Sequence, residues 1–284
     1  MKKSCSAYFA ALYIFILLSV SVTTQAQQML LGKFDRKDLE TEPYAQWFTK
    51  NYENYHPQVN EIINLKNALN GKKIQVFMGT WCGDSKREVP AFMKILDSAG
   101  FSASGIEIIG VDIADSVYKQ SPDGRTNNKL IFRVPTFIIY EKDRELGRIT
   151  ERPIQTMEND LLTIASGKPY TPFYHGVPLV EKKLNSFPAD TIALLEYANV
   201  IKPQLAGSGE LNAYGYVLMA QKRLKDAIHV FQLNTYCYPA DANTWDSLGE
   251  AFMKSGNTAA SKNCYKRVLE LDPSNKQALK MLAN

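Results

Sequence analysis

This 284-residue chain predicts an α/β domain followed by an all-α array of C-terminal helical repeats. The apolar, β-branched run at residues 74–78 leads straight into an amphipathic stretch at 84–98. A second apolar run opens at Pro135, and a 34-residue pattern recurs from Leu211 onward. Together they give strands and a helix in one half and helical repeats in the other. The length leaves room for two domains. An apolar fraction of 45% with 22% charged residues is ordinary for a soluble globular chain, so no compositional class overrides this reading.

Residues 1–26 read as a secretory signal: Lys2 and Lys3 form a basic start, residues 7–20 an apolar run, and Thr24-Gln25-Ala26 a cleavage site. The run falls short of the ~20 residues of a spanning helix, so cleavage is expected over a retained anchor. Cys5 precedes the run and is not placed as a lipoprotein cysteine. The expected location is periplasmic or extracellular, without stable membrane insertion after cleavage. Cleavage removes two lysines and no acid, leaving 31 basic against 29 acidic residues and a formal charge of +2. That balance is no footprint for nucleic acid. Cys82, Cys237 and Cys264 remain, and an odd count leaves at least one thiol free or intermolecular.

Residues 27–57 form an aromatic-rich extension. Tyr44, Phe48, Tyr52 and Tyr55, with Trp47 beside them, fall at near-helical spacing. A stripe of that kind predicts a helix packed on the domain rather than a substrate-contacting arm. Residues 58–168 carry the α/β pattern. The strand at 74–78 turns at Gly79-Thr80-Trp81, and a helix follows with Val89, Phe92, Met93, Ile95 and Leu96 on its apolar face. Cys82 therefore falls at a helix N-terminus, where unpaired N–H groups and the helix dipole favour a thiolate. A free cysteine, with a pKa of about 8.5, is only ~3% ionised at neutral pH. Farther on, Arg133-Val134-Pro135-Thr136 opens an apolar run. Proline cannot donate to a ladder, so Pro135 marks the strand start, in a position that admits a cis peptide.

The ordered set of strand, Trp81-Cys82-Gly83, Pro90 eight residues after the cysteine, and Val134-Pro135-Thr136 resembles the thioredoxin family. The resemblance implies a central mixed sheet flanked by helices. It also implies that Cys82 is the nucleophile, that Pro135 is a cis-proline beside the sulfur, and that Trp81, Gly83 and Val134 contact substrate. Arg133 would touch substrate or thiolate, or serve as a salt-bridge residue. Two departures agree with each other. Ser85 replaces the family's second cysteine, and Val76 replaces the buried aspartate credited with serving it. A hydroxyl closes no disulfide, so the chain reads as a single-cysteine variant. Asp84 puts a carboxylate beside Cys82; a capping role is expected to outweigh its opposition to the thiolate, with Lys86 and Arg87 partly offsetting its charge.

Residues 169–207 read as a linker, rich in Pro and aromatics at 170–178, followed by a partial-repeat helix at 190–202. Ile192, Leu194, Leu195 and Val200 are its packing residues, and Ala206-Gly207-Ser208-Gly209 is the next turn. In residues 208–284, Leu211, Tyr214, Gly215, Leu218, Ala227, Phe231 and Pro239 recur as Trp245, Leu248, Gly249, Phe252, Ser261, Tyr265 and Pro273. A 34-residue period of this kind resembles tetratricopeptide repeats, here at 208–241 and 242–275 with a capping helix after them. Gly215 and Gly249 would let helices approach closely. By that resemblance the inner groove carries Asn212, Tyr216, Asn243, Asp246 and Glu250 for a protein or peptide partner. Cys237 and Cys264 are expected as packing residues rather than a bridge.

His56, His175 and His229 are scattered, so no metal is expected, and no cofactor either. Two functional classes fit. One is an exported monothiol exchange protein, isomerase- or reductase-like, in which Cys82 acts on protein substrates bearing disulfides or thiols while the repeats bind a partner. The other is a non-catalytic adaptor working through its repeats. A glutathione-dependent or cluster-binding protein is the weaker third.

Overall fold

A computed structural model describes residues 28–187 and 191–283. The signal-peptide expectation lies outside the described residues, and among those described no helix is long and apolar enough to cross a membrane. Five strands form one mixed sheet: β1 (Gly32–Phe34), β2 (Lys72–Met78), β3 (Ile106–Gly110), β4 (Thr136–Glu141) and β5 (Arg144–Thr150), in the order β1-β3-β2-β4-β5. Strand β2 is central, parallel to β3 and antiparallel to β4. Strands β1 and β5 pair antiparallel at the edges.

The period of two sorts the strand side chains between two cores. Ile74, Val76, Met78, Ile108, Phe137 and Ile139 face a helical layer. That layer holds α1 (Arg36–Leu39), α2 (Ala45–Asn54), α3 (Val59–Ala68), α4 (Gly83–Ser98) and α5 (Met157–Ala165). The expected aromatic stripe is α2: Phe48 and Tyr44 are buried, and the helix lies against α4. On the opposite face Phe77, Ile109 and Ile138 pack against Val111, Ile131 and Val134. Those three belong to residues 111–135, which link β3 to β4 through a 3-10 turn at Asp115–Val117.

The C-terminal half is helical: α6 (Gly176–Lys183), α7 (Thr191–Ile201), α8 (Ser208–Ala220), α9 (Leu224–Cys237), α10 (Ala242–Lys254), α11 (Thr258–Leu271) and α12 (Lys276–Ala283). Helices α10 and α11 begin and end 34 residues after α8 and α9, and α12 follows as the cap. Gly215 lies where a Cβ would stand 2.4 Å from the Phe231 ring, so the α8–α9 approach requires glycine there.

Three expectations need correction. Residues 170–178 are not a free linker. Tyr170 and Tyr174 donate to Asp160 and Glu151, and α6 starts at Gly176. Pro178 fits because the first turn of a helix needs no N–H from it. That turn is capped from a distance: Gly176 N and Val177 N donate to Glu210 Oε1 at 2.8 and 3.1 Å. In α7, Leu194 is buried as expected, but Ile192, Leu195 and Val200 are exposed, and Ala198 and Ile201 are buried instead. The turn before α8 ends at Gly207, whose φ of 143° suits glycine; Ser208 and Gly209 already belong to the helix.

The two halves share side chains rather than merely touching. Ile131 packs on the sheet, while its neighbour Phe132 enters the repeat core with Tyr118 and Leu130 beside it. Phe132 meets Tyr174 and Tyr214 edge-on.

Candidate functional site

At the exit of β2 the chain turns on Gly79. Cys82 N donates to Gly79 O at 2.9 Å, and Lys86 N donates to Cys82 O at 3.0 Å, which starts α4. Trp81 folds back over Gly79, where any Cβ would lie 2.5 Å from the indole, and its Nε1 donates to Val111 O at 2.9 Å. Cys82 thus occupies the N-cap position with extended φ and ψ, and no side chain caps the helix. The Asp84 expectation is corrected here. Its carboxylate turns outward to Arg87 Nη2 at 2.7 Å, so Arg87, as expected, offsets its charge, while Lys86 lies over the Trp47 ring.

Cys82 is half-buried, and its Sγ donates to Val134 O at 3.3 Å. The Val134–Pro135 peptide is cis. Val134 thus lies against the sulfur, with Pro135 next to it in the chain, and Gly83 opens the helix after Cys82. Ser85 is fully buried, and its Oγ accepts from Gly79 N at 3.3 Å, a bond within the turn itself. Val76 lies in the apolar layer between sheet and helices.

Arg133 is held from two sides. Its Nη1 pairs with Glu151 at 3.0 Å, and its Nη2 donates to Gly209 O on α8 at 2.7 Å, with the guanidinium over the Tyr174 ring. Of its two expected roles, the geometry gives the salt bridge. Sequence reasoning missed Tyr118, Lys119, Glu151 and Tyr174. Lys119 is buried to 5% exposure, at a positive φ, and its Nζ donates to Phe132 O at 2.8 Å. Burial, and then the Arg133 charge, push its ammonium down to about 7, against the opposing pull of Glu151 and a Cys82 thiolate. Burial likewise raises the Tyr118 and Tyr174 hydroxyls, the latter to about 12. A lysine inside an irregular segment leaves no periodic trace, so no sequence signal pointed to it.

Of the five expected partner-binding residues, Tyr216 and Glu250 line one cavity. Along α8, Gly209 meets Arg133. Two and nearly three turns on, Tyr216 and Met219 join Asp115, Tyr118, Glu250 and Lys254 around a cavity of ≈ 300 Å³. Tyr216 donates to Glu250 at 3.0 Å and reaches Ser247 Oγ at 3.2 Å. Asn212 Oδ1 and Asp246 Oδ1 are buried without a hydrogen-bond partner among the described residues. Burial and the neighbouring Glu250 raise the Asp246 carboxyl. Asn243 stands apart, exposed in the first turn of α10, where its amide is capped by Asp241. The larger cleft, ≈ 830 Å³ between Gln120, Asn128, Glu181 and Arg223, does not include Cys82. Cys237 and Cys264 are free and buried in the repeat core, unbridged; burial pushes both thiols up to about 11, and each packs as a small residue. His56, His175 and His229 form no metal cluster among the described residues.

No curated protein matches the chain. The tetratricopeptide repeat family model matches residues 242–275, which span α10 and α11, and this supports a protein-binding role for the C-terminal half.

Proposed function

We propose that residues 58–168 are a thioredoxin-like domain and that the protein is exported to carry out monothiol exchange on partner proteins held by its repeats. The observation that carries this reading is the position of the Cys82 sulfur. It sits at an uncapped helix N-terminus, against the carbonyl that precedes Pro135, beside the segment that docks on α8. Cys82 would attack a substrate disulfide, forming a mixed disulfide and releasing the other substrate sulfur as a thiolate. With Ser85 in place of a second thiol, release needs an external thiol or a further substrate thiol. This favours isomerisation or monothiol exchange over net reduction. Partner binding on the repeats would raise the local concentration of substrate at the sulfur.

The test is adduct formation between the purified protein and a disulfide-bonded peptide, read by mass on non-reduced samples. The expected adduct is reversed by dithiothreitol and absent from Cys82→Ser. If the wild-type protein forms no adduct through Cys82, the exchange reading fails, and the adaptor reading, which rests on the repeat face alone, takes its place.

A further inference from the structure

Residues 111–120 fold back on themselves and run as a ridge from the cysteine motif to the repeats. Asp112 N donates to Gln120 O at 3.0 Å, and Lys119 N donates to Asp112 O at 2.9 Å. The base of the ridge is tied to the sheet and to the motif: Val111 N donates to Met78 O at 2.9 Å, and Val111 O accepts from Trp81 Nε1 at 2.9 Å. Its tip, the 3-10 turn at Asp115–Val117, lies against α8. The cavity of ≈ 300 Å³ opens where this tip meets the repeats. Asp115 and Tyr118 form one wall, Tyr216 and Met219 of α8 a second, and Glu250 and Lys254 of α10 a third. A space of that volume is at the lower limit of small-molecule sites and suits one long side chain.

The charges around this cavity do not balance. Lys254 is already paired with Glu250 at 2.8 Å, and Tyr216 donates to the other Glu250 oxygen at 3.0 Å. Asp115 is exposed, and among the described residues its carboxylate makes neither a hydrogen bond nor an ion pair. One turn before Glu250 on the same helix, Asp246 Oδ1 is buried without a hydrogen-bond partner among the described residues. Buried acceptors are nearly always paired, so an orphaned carboxylate oxygen calls for a donor from outside. The other walls are two tyrosine rings and a thioether, which suit the charged head and the methylene stem of a cationic side chain. We infer that the cavity is the docking site for a lysine or arginine side chain of a partner polypeptide, with Asp115 as its charge partner and Tyr118 and Tyr216 beside its stem. The inference deepens the partner-binding reading of the repeats and rests on it, but not on exchange chemistry at Cys82. Charge complementarity selects this occupant. An acidic segment or a terminal carboxylate would add negative charge to Asp115, Asp246 and Glu250, and the lysine there is taken. An uncharged segment would leave Asp115 unanswered. Neither half holds the site alone, so the partner reads the junction between them. Ile113 and Val117, exposed on the ridge, offer apolar contact to the neighbouring residues of the docked segment.

The experiment is selection of a phage-displayed library of random short peptides on the immobilised full chain, repeated on Asp115→Lys. Wild type is expected to enrich lysine or arginine at one peptide position, and Asp115→Lys to abolish that enrichment. A selected peptide, made synthetically, should bind Asp115→Asn about two- to fivefold more weakly than wild type, and Asp115→Asn with Glu250→Gln about tenfold more weakly. Replacing its basic residue by norleucine should weaken binding to wild type to the same degree and remove the effect of both variants. This arm reads the charge in the unaltered protein, so it decides even if a variant fails to fold. Peptides recovered without a basic preference, or a preference that survives Asp115→Lys, overturn the inference while the repeats keep a partner-binding role. Recovery of no peptide overturns it and the partner-binding reading together. Adduct formation through Cys82 is measured separately and is touched by neither result.

Discussion

Gly215→Ala and Gly249→Ala make the same change at equivalent places 34 residues apart, yet they should differ in effect. At Gly215 the added methyl would stand 2.4, 2.5 and 2.8 Å from three carbons of the Phe231 ring. The ring must retreat by about 1 Å to restore ordinary contact. It has nowhere to go, being fully buried and packed edge-on against Tyr216 at 5.4 Å between centroids. A clash this close lies in the upper part of the overpacking range, about 2–3 kcal/mol, and alanine's better helix propensity returns about 1. The net expectation is a loss of about 1–2 kcal/mol, or a fall in melting temperature of about 2–8 °C. At Gly249 the nearest atoms, on Cys264 and Tyr265, are 3.2 Å away and need yield only a few tenths of an ångström. There the packing cost and the propensity gain nearly cancel, leaving the variant within about 0.5 kcal/mol of wild type. Thermal and urea melts followed by helical circular dichroism measure both. A Gly215→Ala protein as stable as wild type, or equal losses in the two variants, would refute the reasoning from close approach.

Ser85→Cys should form a disulfide with Cys82, since residues three apart on a helix lie within bridging distance, and should confer insulin-type disulfide reduction; two freely alkylated thiols at these positions under oxidising conditions would count against the two-thiol frame. Arg133→Met removes the Glu151 pair and the bond to Gly209 O. It should cost about 2–3 kcal/mol and sharpen protease cleavage between residues 205 and 210, measured by limited proteolysis against a melt. Glu210 has its carboxyl raised by burial against three backbone donors. Its contribution to stability is therefore full below the ordinary carboxylate value and declines as pH rises through the higher folded-state value. The stability difference between wild type and Glu210→Gln should shrink from pH 4.5 towards pH 8, and urea midpoints that diverge instead would exclude this.

The parts legible in the sequence were those written in periodicity. The helix carrying Val89, Phe92, Met93 and Leu96 emerges one residue longer than expected and the strand at 74–78 two residues longer, while the 34-residue offset of the repeat holds, because one face of each is buried. Helix α7 was found with three wrong packing residues. Its sequence is apolar on several faces, so spacing alone could not choose between Leu195 and Ala198. The start of helix α6 reads as linker because residues 170–178 are rich in proline and aromatics, whereas the place of Pro178 in the first turn makes it harmless. Asp84 has the residue type of a cap but lies two residues past the N-cap, Cys82, and Arg87 claims it. Lys119 and Glu151 could not be read at all. The bond of Lys119 to Phe132 O and the pairing of Glu151 with Arg133 depend on how residues 111–135 lie between the sheet and α8.

The seating of Phe132 bears on how the chain can be divided. A cut after residue 168 would strip Phe132 of both Tyr174 and Tyr214, one before residue 208 would strip it of Tyr214, and either would leave Tyr118 and Leu130 facing water. The segment so laid bare is the one whose carbonyls hold the Cys82 sulfur and the Lys119 amine. Truncation would therefore yield a fragment with an aggregation-prone flank and a loosened sulfur, however intact its sheet. The frontier between the halves passes between the side chains of Ile131 and Phe132, and no scission of the backbone can follow it.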